Sequence, residues 1–181
     1  MAVRILGIDP GFGRIGYGVI ERTTRLRSDG ATARQGDWHA LTYGCITTNP
    51  KDSFVERLKD LHEELIDLIK QYKPTRMAVE ELFFFKNLKT AIEVAQARGV
   101  ILLTAIENNL EVDEFTPLQV KQAMTGYGRA EKGQMQKMVA VILKIKEPIK
   151  SDDAADALAV ALTAGQSLWV TSLSSKERGT G

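Results

Sequence analysis

Cysteine is nearly missing from this sequence: Cys45 is the single one in 181 residues. An intrachain disulfide is thereby excluded, as are the cysteine clusters that build zinc or iron–sulfur centres, and a reducing cytoplasm suits the chain. Histidine is almost as scarce, and His39 and His62 show no metal-ligand spacing between them. Long apolar runs are lacking too. Val3 to Ile8 is broken by Arg4 and stopped by Asp9-Pro10-Gly11, well short of a secretory h-region. Nowhere else is there the ~20-residue apolar span that crosses a bilayer. These absences read as a protein neither exported nor embedded in a membrane. A dominant charge sign is also missing, since 24 Lys and Arg face 23 Asp and Glu. The net +1 does not announce a nucleic-acid ligand, so any basic footprint must be local.

With 44% apolar residues, the chain can build one well-packed domain and is too short for two ordinary ones. We place that domain at residues 1–170. Residues 3–8 read as a buried strand, Asp9 to Gly13 as a turn, and Ile15 to Glu21 as a strand returning beside the first. A polar stretch without a consistent period, Thr23 to His39, reads as a loop at about 23–40. Leu41 to Thr47 alternates as a third strand. Ser53 can cap a helix whose apolar positions Val55, Leu58, Leu61, Leu65, Leu68 and Ile69 keep helical spacing, and Tyr72-Lys73-Pro74 ends it. Arg76 to Glu80 is a short strand, expected parallel to a strand of the opening hairpin because a crossover helix precedes it. A helix over Leu88 to Glu107, a fifth strand over Glu111 to Phe115 and helical structure up to about Trp169 complete the reading. The Ser-, Lys- and Gly-rich residues 171–181 read as a disordered tail. The class is α/β, with a central five-stranded mixed sheet flanked by helices.

Asp9 stands at the C-terminal end of the first strand and Glu80 at the end of the strand expected to run parallel beside it. That edge of an open α/β sheet is where ligands bind. Ser151-Asp152-Asp153-Ala154-Ala155-Asp156 opens a helix, and three helical residues turn about 300°, which leaves Asp153 and Asp156 on one face. If that helix packs beside Asp9 and Glu80, four carboxylates converge and need cations. Hard oxygen donors without His or Cys suit Mg²⁺. Two such ions about 4 Å apart would activate a water and stabilise a leaving 3′ oxygen in phosphodiester cleavage. Each piece alone has a plainer explanation. Asp-Pro-Gly is a common turn signal, acidic residues in a first helical turn favour the helix dipole, and a strand-end Glu is ordinarily solvated. The set carries the argument.

Beyond the four carboxylates the chain carries, in order, Gly7-Ile8-Asp9-Pro10-Gly11, Gly16-Tyr17-Gly18-Val19, Ala78-Val79-Glu80 and Gln96-Ala97-Arg98-Gly99-Val100. These are followed by Gln119-Val120-Lys121-Gln122, Gly126-Tyr127-Gly128, Ala130-Glu131-Lys132 and Asp153-Ala154-Ala155-Asp156-Ala157-Leu158-Ala159. In these motifs the chain resembles the RuvC family of Holliday-junction resolvases, from residue 2 to about 165. The resemblance implies an RNase H-like fold and a homodimer whose two sites nick strands of like polarity across a four-way DNA junction, in recombination and repair. It implies two Mg²⁺ ions, with Mn²⁺ as a substitute, on Asp9, Glu80, Asp153 and Asp156, the carboxylates reached above. Glu81 and Asp152 stand beside two of these, so the register could slip by one, although strand alternation points Glu81 away from Glu80. Cooperation with the RuvA–RuvB branch-migration complex is implied as well.

By the same resemblance Phe83 is the junction-side residue of the cluster Phe83-Phe84-Phe85, and Lys121 and Lys132 contact DNA. Aromatics on a loop leaving the active edge can stack on unpaired bases, although three in a row cannot all face one way. From Lys121 to Lys150 seven basic residues stand against two acidic ones, a local +5. The helix over 88–107 carries apolar residues on more than one face, which fits either a fully buried helix or one that meets a partner subunit. Three alternatives stay open at this point: an actin-like phosphate-binding domain, a junction-binding protein that has lost cleavage, and an RNase H-like nuclease with another substrate. The stretch from Thr23 to His39 is longer than the connection typical of the family.

Overall fold

A computed structural model describes residues 2–22, 38–82, 88–126 and 132–177, with the side chains of 88, 89, 132 and 169–177 left aside. The strands are β1 (Val3–Asp9), β2 (Arg14–Arg22), β3 (Trp38–Thr47), β4 (Arg76–Glu80) and β5 (Glu111–Phe115). The helices are α1 (Phe54–Tyr72), α2 (Leu88–Glu107), α3 (Pro117–Thr125), α4 (Lys132–Ile142) and α5 (Asp152–Glu177). The sheet order is β3-β2-β1-β4-β5. β1, β2 and β3 form an antiparallel meander, and β4 and β5 run parallel to β1. This is the mixed five-stranded, RNase H-like sheet that was expected, with β4 beside β1 after the α1 crossover.

Period-2 alternation divides the sheet between two cores. Ile5 and Ala78 face α5, together with Leu158 and Leu162. Leu6, Ile8, Met77 and Val79 face the other way, onto Leu61 and Leu65 of α1 and Ala97 and Ile101 of α2. Both layers are buried, which accounts for strands that read as near-continuous apolar runs.

Two boundaries depart from the sequence reading. β3 begins at Trp38, so the polar segment expected at about 23–40 ends sooner, and residues 23–37 lie outside the described residues. Trp38 is buried against Gly165 of α5, and the Arg22 guanidinium lies 5.4 Å from its ring centre, so packing extends the strand where alternation gave no signal. The tail expected at 171–181 is helical as far as Glu177, because α5 continues past Trp169. No Pro or Gly interrupts 170–177, and lengthening a formed helix needs no new nucleus. No described helix is long and apolar enough to cross a membrane.

Candidate active site

The alternation that sends Ile5 and Gly7 toward α5 sends Asp9 the same way, and Glu80 follows Ala78 on β4. Parallel pairing matches Gly7 with Ala78 and Ile8 with Val79, so Asp9 and Glu80 come next in register at one sheet edge. Glu81 leaves the strand, its N–H donating to the Phe115 carbonyl at 2.8 Å, and it lines a separate cleft with Ala95, Arg98 and Glu114. The register at Glu80 is therefore set by the core residues before it.

α5 reaches this edge because β1 and β2 carry glycine where it crosses them. A Cβ on Gly7 would collide with the Ala157 carbonyl oxygen, and one on Gly16 with that of Asp153. Alanines 154, 155, 157, 159, 161 and 164, all buried, keep the helix side of the contact equally thin. Ser151 immediately precedes the helix, and its hydroxyl accepts the Ala154 N–H at 3.3 Å. Its first turn then lies beside the carboxylate end of β1, with Asp153 over Gly16 and Asp156 one turn on.

The electrostatics of Glu80 show what this proximity does. Burial, and then the negative charge of Asp156, push the Glu80 carboxyl up to about 7; a hydrogen bond with Asp9 and the Lys121 ammonium pull it the other way. A hydrogen bond between two carboxyl groups requires a proton between them, which is the arrangement expected of acids crowded without a countercharge. Asp9 and Asp156 thus both act on Glu80, and Lys121 of α3 is a cation that acts on it too. α3 is held by the capping box of Thr116 and Gln119, and Gly126, at φ 72°, closes its C-terminus.

Asp153 lies on the same helix face, but its Oδ2 is 2.7 Å from Nε of Arg14, at the start of β2. The Arg14 Nη2 donates to Ser151 Oγ at 2.8 Å, and Cys45 Sγ of β3 lies 3.0 Å from the same hydroxyl. Asp152 is exposed and accepts a hydrogen bond from Gln136 of α4. Among the described residues no group of three donor side chains is already arranged to hold a metal ion. The chemistry of the donor set nonetheless fits a hard divalent cation: it is all oxygen, it carries excess negative charge, and one member takes up a proton in the cation's place.

Phe83 and its neighbours Phe84 and Phe85 lie outside the described residues, as does the segment 127–131. Lys132 opens α4. His39 pairs with Glu21 at 3.3 Å and His62 with Thr104 at 2.8 Å, so neither enters the site. Arg14 was missed by the sequence reading. Its partner Ser151 is 137 residues away, and no local periodicity marks such a contact.

Known proteins resemble this chain over most of its length. The family model described as "Crossover junction endodeoxyribonuclease RuvC" matches residues 5–164, which include all four acidic positions. The chain is 49% identical over 161 residues to the crossover junction endodeoxyribonuclease RuvC of Petrotoga mobilis, covering 89% of this chain and 92% of that one. It is likewise 49% identical over 164 residues to the enzyme of that name from Halothermothrix orenii, covering 90% and 92% of the two chains. The structure of Thermus thermophilus RuvC superposes with a TM-score of 0.78 at 34% identity, and that of the same protein in complex with Holliday junction substrate with a TM-score of 0.79 at 33% identity, each covering 90% of this chain and 93% of that one. A match of this extent, over a sheet edge that gathers acidic side chains under a glycine-seated helix, places the chain in the RuvC family of crossover junction endodeoxyribonucleases.

Proposed function

We propose that the chain is a structure-selective endonuclease that resolves four-way (Holliday) DNA junctions by paired symmetric nicks, in homologous recombination and DNA repair. The observation that carries this reading is the placement of Asp9 and Glu80 in adjacent register at the C-terminal edge of β1 and β4, with Asp156 acting on Glu80. Acidic side chains gathered in this way supply the negative charge that a cation-dependent phosphodiesterase needs.

Asp9, Glu80, Asp153 and Asp156 would hold Mg²⁺, two ions per site, with Mn²⁺ as the substitute. Bound there, the ions would supply an activated water and a counter-charge for the leaving 3′ oxygen. The chain's own residues do the rest. Glu80 gives up its proton when the site fills, and Lys121 places a positive charge at the rim where a backbone phosphate approaches. Lys132 adds a second basic contact from the start of α4, and Phe83, on the segment that follows Glu80, addresses the unpaired bases at the junction centre.

A pair of symmetric cuts needs two such sites, and we assign them to a homodimer. The support is an exposed stripe on α2, Ile92, Ala95, Gly99, Leu103 and Ile106, on the side of the helix away from the core residues Ala97 and Ile101. A single domain over 1–170, action in the cytoplasm and cooperation with the RuvA–RuvB branch-migration complex complete the proposal.

The test is nicking of a mobile four-way junction with Mg²⁺, comparing wild type and Asp9→Asn under conditions where both bind. Paired nicks from wild type alone are expected; binding without cleavage by wild type would reduce the chain to a junction-binding protein.

A further inference from the structure

Arg14 is a cation paired with one of the four acidic positions, and no step above has used it. Its guanidinium joins three elements. Nε lies 2.7 Å from Asp153 Oδ2 and 3.3 Å from Cys45 Sγ, and Nη2 lies 2.8 Å from Ser151 Oγ. The Ser151 hydroxyl accepts from both the Ala154 N–H and Arg14, so its own proton is directed to Cys45 Sγ 3.0 Å away. The thiol in turn stands 4.0 Å from Asp153 Oδ2. The fork of one arginine is thus seated on the hydroxyl that caps α5 and on the strand-borne thiol, and it is aimed at one carboxylate oxygen.

That oxygen belongs to the member of the acidic set that the Glu80 electrostatics do not include. Asp156 acts on Glu80, and Glu80 shares a hydrogen bond with Asp9, whereas Asp153 pairs with Arg14. The pair stands at the solvent rim, with the Arg14 side chain 55% and the Asp153 side chain 35% exposed. Screening keeps such a pair weak enough for a divalent ion to displace it. Resting on the reading of Asp153 as a metal ligand, we propose that Arg14 is a positioning residue, whose guanidinium holds the Asp153 carboxylate at the rim until a divalent cation takes it over. The metal-free site is then an open three-carboxyl cluster with its fourth arm latched, and cation binding competes with an internal positive charge.

The test is Mn²⁺ binding to the full chain without DNA, read from the EPR signal of free Mn²⁺, with melting temperatures in chelator as the check of folding. Wild type should bind Mn²⁺ and Asp9→Asn should bind it less. Arg14→Gln, which keeps polar contacts and removes the charge, should bind roughly three-fold or more tightly than wild type. Arg14→Lys, which keeps the charge but not the fork, should fall between the two. In an Asp153→Asn background the gain from Arg14→Gln should vanish, because the interaction it relieves is already absent. Unchanged or weaker binding by Arg14→Gln, or a gain that persists in the Asp153→Asn background, would overturn the role of Arg14 and leave the metal site standing. The lack of any Asp9-dependent Mn²⁺ binding would overturn both.

Discussion

Glu80 bears the consequence of crowding acids at one sheet edge. Its carboxyl is raised from 4.5 to about 7, first by burial and then by Asp156. Between those two values the folded protein binds a proton that the unfolded chain releases, so stability from this group is present below about 4.5 and lost as pH rises through about 7. Metal-free protein should therefore be less stable at pH 8 than at pH 5, with Glu80 contributing no more than about 3 kcal/mol of the difference. Urea melts in chelator at the two pH values, for wild type and Glu80→Gln, check this: the slope should flatten in the variant. Added Mg²⁺ should reverse the loss at pH 8, since the ion takes the place of the proton. A wild-type slope that survives in Glu80→Gln would assign the effect to other groups.

At the scale of elements, the site depends on how closely α5 lies against β1 and β2. Gly7 and Gly16 are the contact points, and each faces a backbone carbonyl that cannot rotate away as a side chain can. Gly16→Ala should cost about 1–3 kcal/mol in chemical denaturation and lower junction cleavage further than the stability loss explains, because Asp153 and Asp156 move with the helix. Gly133→Ala on α4, where a Cβ meets nothing within 4 Å, is the control and should leave both quantities near wild type. Equal effects at the two positions would remove close helix–sheet approach as the cause. The same contact explains why alternation alone understated β3: Trp38 belongs to the strand through its packing on Gly165, and its own neighbours in sequence give no alternating pattern.

For the whole molecule the open question is how one cleavage becomes two. α2 buries Ala97, Ile101 and Ala105 against α1 and the sheet, and exposes Ile92, Leu103 and Ile106 at 69%, 57% and 63%. A second copy of α2 packed on that stripe would set two acidic edges on one symmetric particle. Leu103→Asp should weaken self-association by roughly tenfold or more in sedimentation experiments and convert paired nicks into single ones, with the fold intact. A monomeric wild type that still makes paired symmetric nicks would refute the arrangement.

Much of this was legible in the sequence because it is local. Strand alternation, the Ser53 cap, the Pro74 stop and the spacing of Asp153 and Asp156 on one helical face all follow from neighbours a few residues apart, and they led to the five strands and to the four acidic positions. The order of the sheet followed too, since a helical crossover leaves few ways to place β4. What needed the tertiary structure is everything decided across the sheet. The start of β3 depends on a glycine of α5, the seat of α5 depends on glycines of β1 and β2, and the proton on Glu80 depends on burial and on Asp156. The pairing of Arg14 with Asp153 joins residues whose proximity no periodicity encodes. Periodicity reports which face a residue takes, whereas charge, burial and partner depend on what the other elements bring to that face.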